Sequence, residues 1–179
     1  MKEKVYIGID PGKAGFICIL PPYEEIEFIP IQKDPKAEFD LWHIRGVIEG
    51  IFTRFEGMDI IVGIESVHAL FGASAGSTFN FGYITGVLNG LVAAKGITIV
   101  NPQPKEWQKV MWEGVGVGLI KKKSSSGKTE VTDTKATSIK ACKKLFPTVD
   151  LRRTERSTKM DDNKCDSLLI AMYLKRKNF

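Results

Sequence analysis

Val5-Tyr6-Ile7-Gly8-Ile9-Asp10-Pro11-Gly12 and Asp59-Ile60-Ile61-Val62-Gly63-Ile64-Glu65 decide how this chain is read. Each is a short apolar, β-branched run that ends in an acid, and Pro11-Gly12 then turns the chain. Two further runs, Gly15–Leu20 and the alternating Ile26–Pro30, follow the first at short spacing and predict antiparallel hairpins at the start of a sheet. Asp40 reads as the N-cap of a helix running to about Phe55, with Leu41, Ile44, Val47, Ile48, Ile51, Phe52 and Phe55 inward. A second helix is expected from Ser77 to Ala94, with Phe79, Ile84, Val87, Leu88 and Leu91 inward. Gly82, Gly86 and Gly90 form a stripe on it. Each costs roughly 1 kcal/mol of helix stability relative to Ala, so the stripe implies a close approach to the sheet or to a second subunit.

Beyond these lie a strand at Ile97–Val100, a short helix at Glu106–Met111 and a helix from Asp133 to Phe146 stopped by Pro147. That helix turns Ala136, Ile139, Cys142 and Leu145 inward and Lys135, Lys140, Lys143 and Lys144 outward. A last helix starts near Asp162 and runs to Lys175. Residues 113–132, rich in Gly, Ser and Lys, read as a long mobile loop. The order of elements predicts an α/β domain with a mixed sheet.

A length of 179 residues, 43% hydrophobic and 26% charged, fits a single domain over 1–179 with a sizeable core. It excludes disorder as the main state, and the short, broken apolar runs exclude a helical membrane span. The N-terminus has no secretory or transit pattern, and Cys18, Cys142 and Cys165 show no metal-ligand spacing. They read as reduced core thiols of an intracellular protein, cytoplasmic or virus-encoded. Charge is lopsided: residues 1–100 carry 8 Lys and Arg against 12 Asp and Glu, whereas 101–179 carry 18 against 9. A basic half suits a polyanionic partner as well as it suits a solubilising surface.

Carboxylates at strand ends stand where open α/β folds keep their ligands, so neighbouring strands would set Asp10 beside Glu65. Asp162 and Asp166, four apart, share a helix face. Any one of these acids could simply cap a helix, but the ordered set is costly without a cation. Mg²⁺ takes carboxylate oxygens and keeps sites for water and phosphate, and two ions about 3.5–4 Å apart suit phosphodiester hydrolysis.

Ile7–Gly15, the strand end Gly63–His68 and the run Asp161–Ala171 together resemble the RuvC family of Holliday-junction resolvases. Phe79–Gly82, Val100-Asn101-Pro102 and Trp107 are similar to its phage and chloroplast branch. The resemblance spans roughly residues 4–175. It implies an RNase H-like fold with a mixed five-stranded sheet flanked by helices, and a Mg²⁺-dependent endonuclease in which Mn²⁺ can substitute. It also implies a homodimer that nicks two strands of a four-way DNA junction. Asp10, Glu65 and Asp166 match the family's acids, and the fourth is Asp161 or Asp162. Helix geometry favours Asp162, and Asp161 could serve only from a position before the helix begins. Lys135 is similar to a family lysine near the scissile phosphate, and Lys109 holds a comparable place. His68 stands where the family carries an aromatic that stacks at the opened junction, with Phe71 close by. Lys121, Lys122, Lys123 and Lys128 on the basic loop are expected DNA contacts, and Trp107 and Trp112 are expected packing residues. A nuclease for RNA–DNA hybrids, or a binder without activity, shares the fold. Ser124–Thr129 is no phosphate-binding P-loop, because Lys122 stands where its first glycine belongs.

Overall fold

The computed structural model describes residues 2–66, 74–124 and 127–179, with the backbone alone at 122–124 and 127–129. Its elements are β1 (Lys4–Ile9), β2 (Phe16–Leu20), β3 (Glu27–Pro30), α1 (Leu41–Arg54), β4 (Asp59–Ile64) and α2 (Ala75–Ala93). They continue with β5 (Thr98–Val100), α3 (Pro104–Met111), β6 (Gly118–Ser124), β7 (Gly127–Asp133), α4 (Thr134–Leu145) and α5 (Asp162–Lys177). Five strands form one mixed sheet in the order β3-β2-β1-β4-β5. β2 runs antiparallel to β1 and β3, while β1, β4 and β5 are parallel.

Alternation along each strand separates two cores. Val5, Ile7, Ile9, Ile17, Ile19, Val62 and Ile64 face α1 and α2, which supply Ile44, Ile48, Phe52, Ile84 and Leu88. Tyr6, Cys18, Leu20 and Ile61 face the other way, onto Trp107 and Met111 of α3, Cys142 of α4 and Leu168–Leu174 of α5. Asp40 caps α1 as expected, accepting from His43 N, and Asp133 caps α4 through Ala136 N. All three cysteines are buried and free.

The largest correction concerns residues 113–132. Read as a loop, they contain an antiparallel hairpin, β6 on β7, in register from Gly118↔Asp133 to Ser124↔Gly127. Leu119↔Thr132 and Ile120↔Val131 pair apolar or β-branched side chains across the ladder, a local pattern hidden by the surrounding Gly, Ser and Lys. Leu41 and Phe79, both expected inward, are exposed, at 37% and 71%. Each sits in the first turns of its helix, before the helix reaches the sheet. α2 starts at Ala75, capped by the Ser74 hydroxyl, two residues earlier than expected. Among the described residues, a Cβ at Gly82, Gly86 or Gly90 would meet nothing within 4 Å, so the stripe does not serve a close approach to the chain's own sheet. No helix among the described residues is long and apolar enough to cross a membrane.

Candidate metal centre

The register of β1 on β4 builds the site. Gly8 pairs with Gly63 and Ile9 with Ile64, and Glu65 N donates to Ile9 O at 3.1 Å, so Asp10 and Glu65 leave the sheet abreast. A period of two puts Asp10 on the face of Tyr6 and Gly8, and Glu65 on the face of Ile61 and Gly63. Both carboxylates therefore point to the side that α5 covers.

Two glycines let α5 lie close. A Cβ at Gly8 would stand 2.1 Å from Ser167 O and 2.4 Å from Ala171 N. At Gly63 it would meet Ile170 Cγ2 at 2.9 Å and Leu174 Cδ1 at 3.0 Å. Asp166 precedes Ile170 by four residues, so the stripe that packs Ile170 and Leu174 over Gly63 carries Asp166 about 6 Å further, toward the strand ends. Its Oδ1 is buried, with the buried Ser138 hydroxyl of α4 as its neighbour.

The two candidates for the fourth acid have different surroundings. Asp161 lies before α5, as its N-cap, and the condition set for it on sequence grounds is met. Its carboxylate is nevertheless engaged: Oδ1 accepts from Asn163 N at 2.9 Å and Lys164 N at 3.4 Å, and Oδ2 pairs with Arg153 Nη1 at 2.6 Å. Arg153 also donates to Ala14 O at 2.9 Å and lies over the Phe16 ring, tying the turn after Asp10 to the start of α5. Asp162 faces Lys135 Nζ at 2.7 Å, an ion pair whose lysine is 73% exposed.

Glu65 is held by the segment after β5. Ser66 N donates to Pro102 O at 3.1 Å, Asn101 Nδ2 to Ile64 O at 3.3 Å, and Trp107 Nε1 to Glu65 Oε1 at 2.9 Å. Trp107 is fully buried, as a packing residue should be, but it also touches a candidate acid, which sequence reasoning missed. The same reasoning passed over Arg153. A glycine two residues before each strand-end acid was the readable signal for the close helix.

Burial, chiefly, and then the charge of Glu65 push Asp10 up to about 7, against a Gly12 N–H at 3.4 Å that favours the ionised form. Asp162 and Asp161 add smaller upward pushes. Asp166 is raised well above the carboxylate range by burial, against the Ser138 hydroxyl, with Asp10, Glu65 and Asp162 adding repulsion. Burial also raises Glu65, and the Trp107 N–H offsets part of that. Among the described residues, no three His, Cys, Asp or Glu side chains stand as a ready-made cage for an ion. What fits a divalent cation is the chemistry of the set: hard oxygen donors, buried and repelling one another.

The remaining candidates lie apart from the acids or outside the description. Lys109 is exposed, two residues beyond Trp107 and so on the far side of α3, where it lines a hollow with Trp112 and Lys177. Lys121 is exposed on β6 opposite Glu130. His68 and Phe71, and the side chains of Lys122, Lys123 and Lys128, lie outside the described residues. A hollow lined by Pro11, Gly12, Phe39, Asn80 and Phe81 opens beside the turn that follows Asp10.

No family model matches the chain, and no curated protein matches it. Solved structures do. Thermus thermophilus RuvC in complex with a Holliday junction substrate is 12% identical with a TM-score of 0.60, over 97% of this chain and 96% of that one. T. thermophilus RuvC in a second structure gives 12% and 0.59 over the same shares. The yeast mitochondrial Holliday junction resolvase Ydc2 gives 14% and 0.57, over 98% of this chain and 78% of its own. The fold is thus that of RuvC, of the RNase H-like class.

Proposed function

We propose that residues 1–179 form one nuclease domain, a structure-selective DNA endonuclease that resolves four-way junctions by paired symmetric nicks. The observation that carries this reading is the convergence of Asp10 and Glu65, abreast in register, with Asp162 and Asp166 of α5. The likeness in fold to RuvC, seen with a junction substrate, supports it. Asp10, Glu65, Asp162 and Asp166 would hold Mg²⁺, two ions in the full site, with Mn²⁺ able to substitute. Bound there, the metal would supply an activated water and charge stabilisation at the phosphate. Asp161 is left as the cap that fixes α5, because Arg153 and two backbone N–H groups occupy it.

The chain's own residues prepare the site. Arg153 ties the Asp10 turn to α5. Lys135, mostly exposed yet paired to Asp162, would meet a phosphate oxygen as negative charge develops on it. Lys121, with Lys122, Lys123 and Lys128 on the same hairpin, suits the flanking backbone. The free, buried cysteines suit a reducing, intracellular compartment.

A four-way junction is two-fold symmetric, so paired nicks call for a C₂ dimer with one acid cluster per subunit. The α2 face around Gly82, Gly86 and Gly90, open on its own chain and flanked by exposed Phe79 and Tyr83, is suited to be that interface. Sedimentation as a monomer at micromolar concentration, both free and on a junction, would remove the dimer. The activity is tested by offering labelled four-way junction, linear duplex and RNA–DNA hybrid with Mg²⁺ and mapping the cuts. Symmetric nicks near the branch support resolution. Cleavage of the hybrid alone would make the protein an RNase H, and binding without cuts a non-catalytic binder.

A further inference from the structure

We propose that Trp107 is a positioning residue for Glu65: its indole N–H holds Oε1 and leaves Oε2 as the oxygen presented to Asp10 and a divalent cation. The inference rests on the nuclease reading above. Glu65 is the one candidate acid at the end of a strand whose flanking backbone is gripped on both sides, by Asn101 at Ile64 O and by Pro102 at Ser66 N. Those bonds fix its Cα. They do not fix the two outer torsions of a glutamate side chain, which without a partner sample several rotamers. The 2.9 Å bond from Trp107 removes that freedom.

Packing alone does not explain an indole here. Trp107 is fully buried on α3 against α5, a place a Phe ring could fill without bringing a polar atom. Trp112, the residue that follows α3, set edge-on to Trp107 at 6.2 Å between centroids, shows that the same packing region tolerates a buried indole N–H with no partner. Trp107 instead aims its N–H at a carboxylate. An indole nitrogen can only donate, so the bond suits the ionised, ligating form of the acid. Second-layer bonds of this type orient metal ligands, and their loss typically costs about 10–100-fold in metal affinity.

The test removes the donor and keeps an aromatic side chain. Mn²⁺ binding to the full chain without DNA is titrated by electron paramagnetic resonance for wild type, Trp107→Phe and Glu65→Gln. Junction affinity in EDTA and thermal melting are measured alongside. Trp107→Phe should weaken Mn²⁺ binding roughly 10–100-fold while leaving metal-free junction affinity unchanged. Should Trp107→Phe give no cooperative melt, benzothienylalanine at 107, with sulfur in place of the N–H, takes its place under the same criterion. Mn²⁺ affinity within twofold of wild type in the folded variant, with Glu65→Gln losing it, overturns the positioning role and spares the metal centre. Unchanged affinity in Glu65→Gln as well overturns the metal centre itself, and the inference with it.

Discussion

Adding a single methyl group at Gly8 tests the step on which the whole site depends. The Cβ of Gly8→Ala would stand 2.1 Å from Ser167 O, whereas ordinary contact begins near 3.4 Å, so α5 must withdraw by about 1.3 Å. The obstacle is backbone, on both Ser167 and Ala171, and no rotamer change relieves it. Overpacking of this kind costs about 1–3 kcal/mol. For a chain of this size that lowers the melting temperature by roughly 2–12 °C. A displacement near 1 Å between reacting groups can cost about 100-fold in rate, and the withdrawn helix is the one that carries Asp162 and Asp166. Gly63→Ala meets only side-chain ends of Ile170 and Leu174 and should do less on both counts. Gly46→Ala, on an exposed face of α1 with nothing within 4 Å, should stabilise by up to about 1 kcal/mol. Calorimetry and single-turnover junction cleavage on the three variants should rank the damage Gly8, then Gly63, with Gly46 unharmed. Wild-type melting and cleavage in Gly8→Ala would refute the close seat of α5.

Other outcomes follow from the same geometry. Asp10→Asn or Glu65→Gln should abolish cleavage while gel-shift binding of the junction persists or tightens, since each removes a negative charge facing phosphate; near wild-type cutting with Mg²⁺ would rule out the assigned centre. Asp162→Asn should remove most activity at little cost in melting temperature, whereas Asp161→Ala should lose about 1 kcal/mol or more of stability with its cap and its Arg153 partner; the reverse pattern in paired melts and rate assays would exchange their roles. Changing Lys121, Lys122, Lys123 and Lys128 together to Ala should flatten the slope of log affinity against log salt by up to roughly 0.9 per lost phosphate contact, and an unchanged slope would make the hairpin a bystander. In EDTA, folded Asp10 keeps a proton up to about 7 that the unfolded chain releases near its ordinary value of about 3.9, so stability should fall as pH rises through that window. Melting curves between these limits, flat with saturating Mg²⁺ and sloping without it, check the sign.

Much of this site is written in local sequence. The acids closing two apolar runs, the caps Asp40 and Asp133, the start of the last helix near Asp162 and the mixed sheet all follow from patterns a few residues long. Those signals are local because a strand's period, a cap's hydrogen bond and the spacing of a helix face involve residues that are near in sequence. The hairpin at Gly118–Asp133 was obscured because its stabilising pairs join residues up to fifteen apart inside a composition typical of loops.

What only the tertiary structure decided is which groups meet across the chain. Ser167 O over Gly8 joins positions far apart in sequence, and no periodicity reports that a missing side chain on one element makes room for the backbone of another. The same holds for Asp161 and Asp162: adjacent in sequence and alike in chemistry, they differ because Arg153 reaches one and Lys135 the other. Trp107, buried as its composition class demands, acquires its bond to Glu65 only when α3 packs under the end of β4. The sequence by itself set out which acids stand at the ends of the strands. Packing chose their neighbours, because burial and charge at one carboxylate depend on side chains that the chain brings there from tens of residues away.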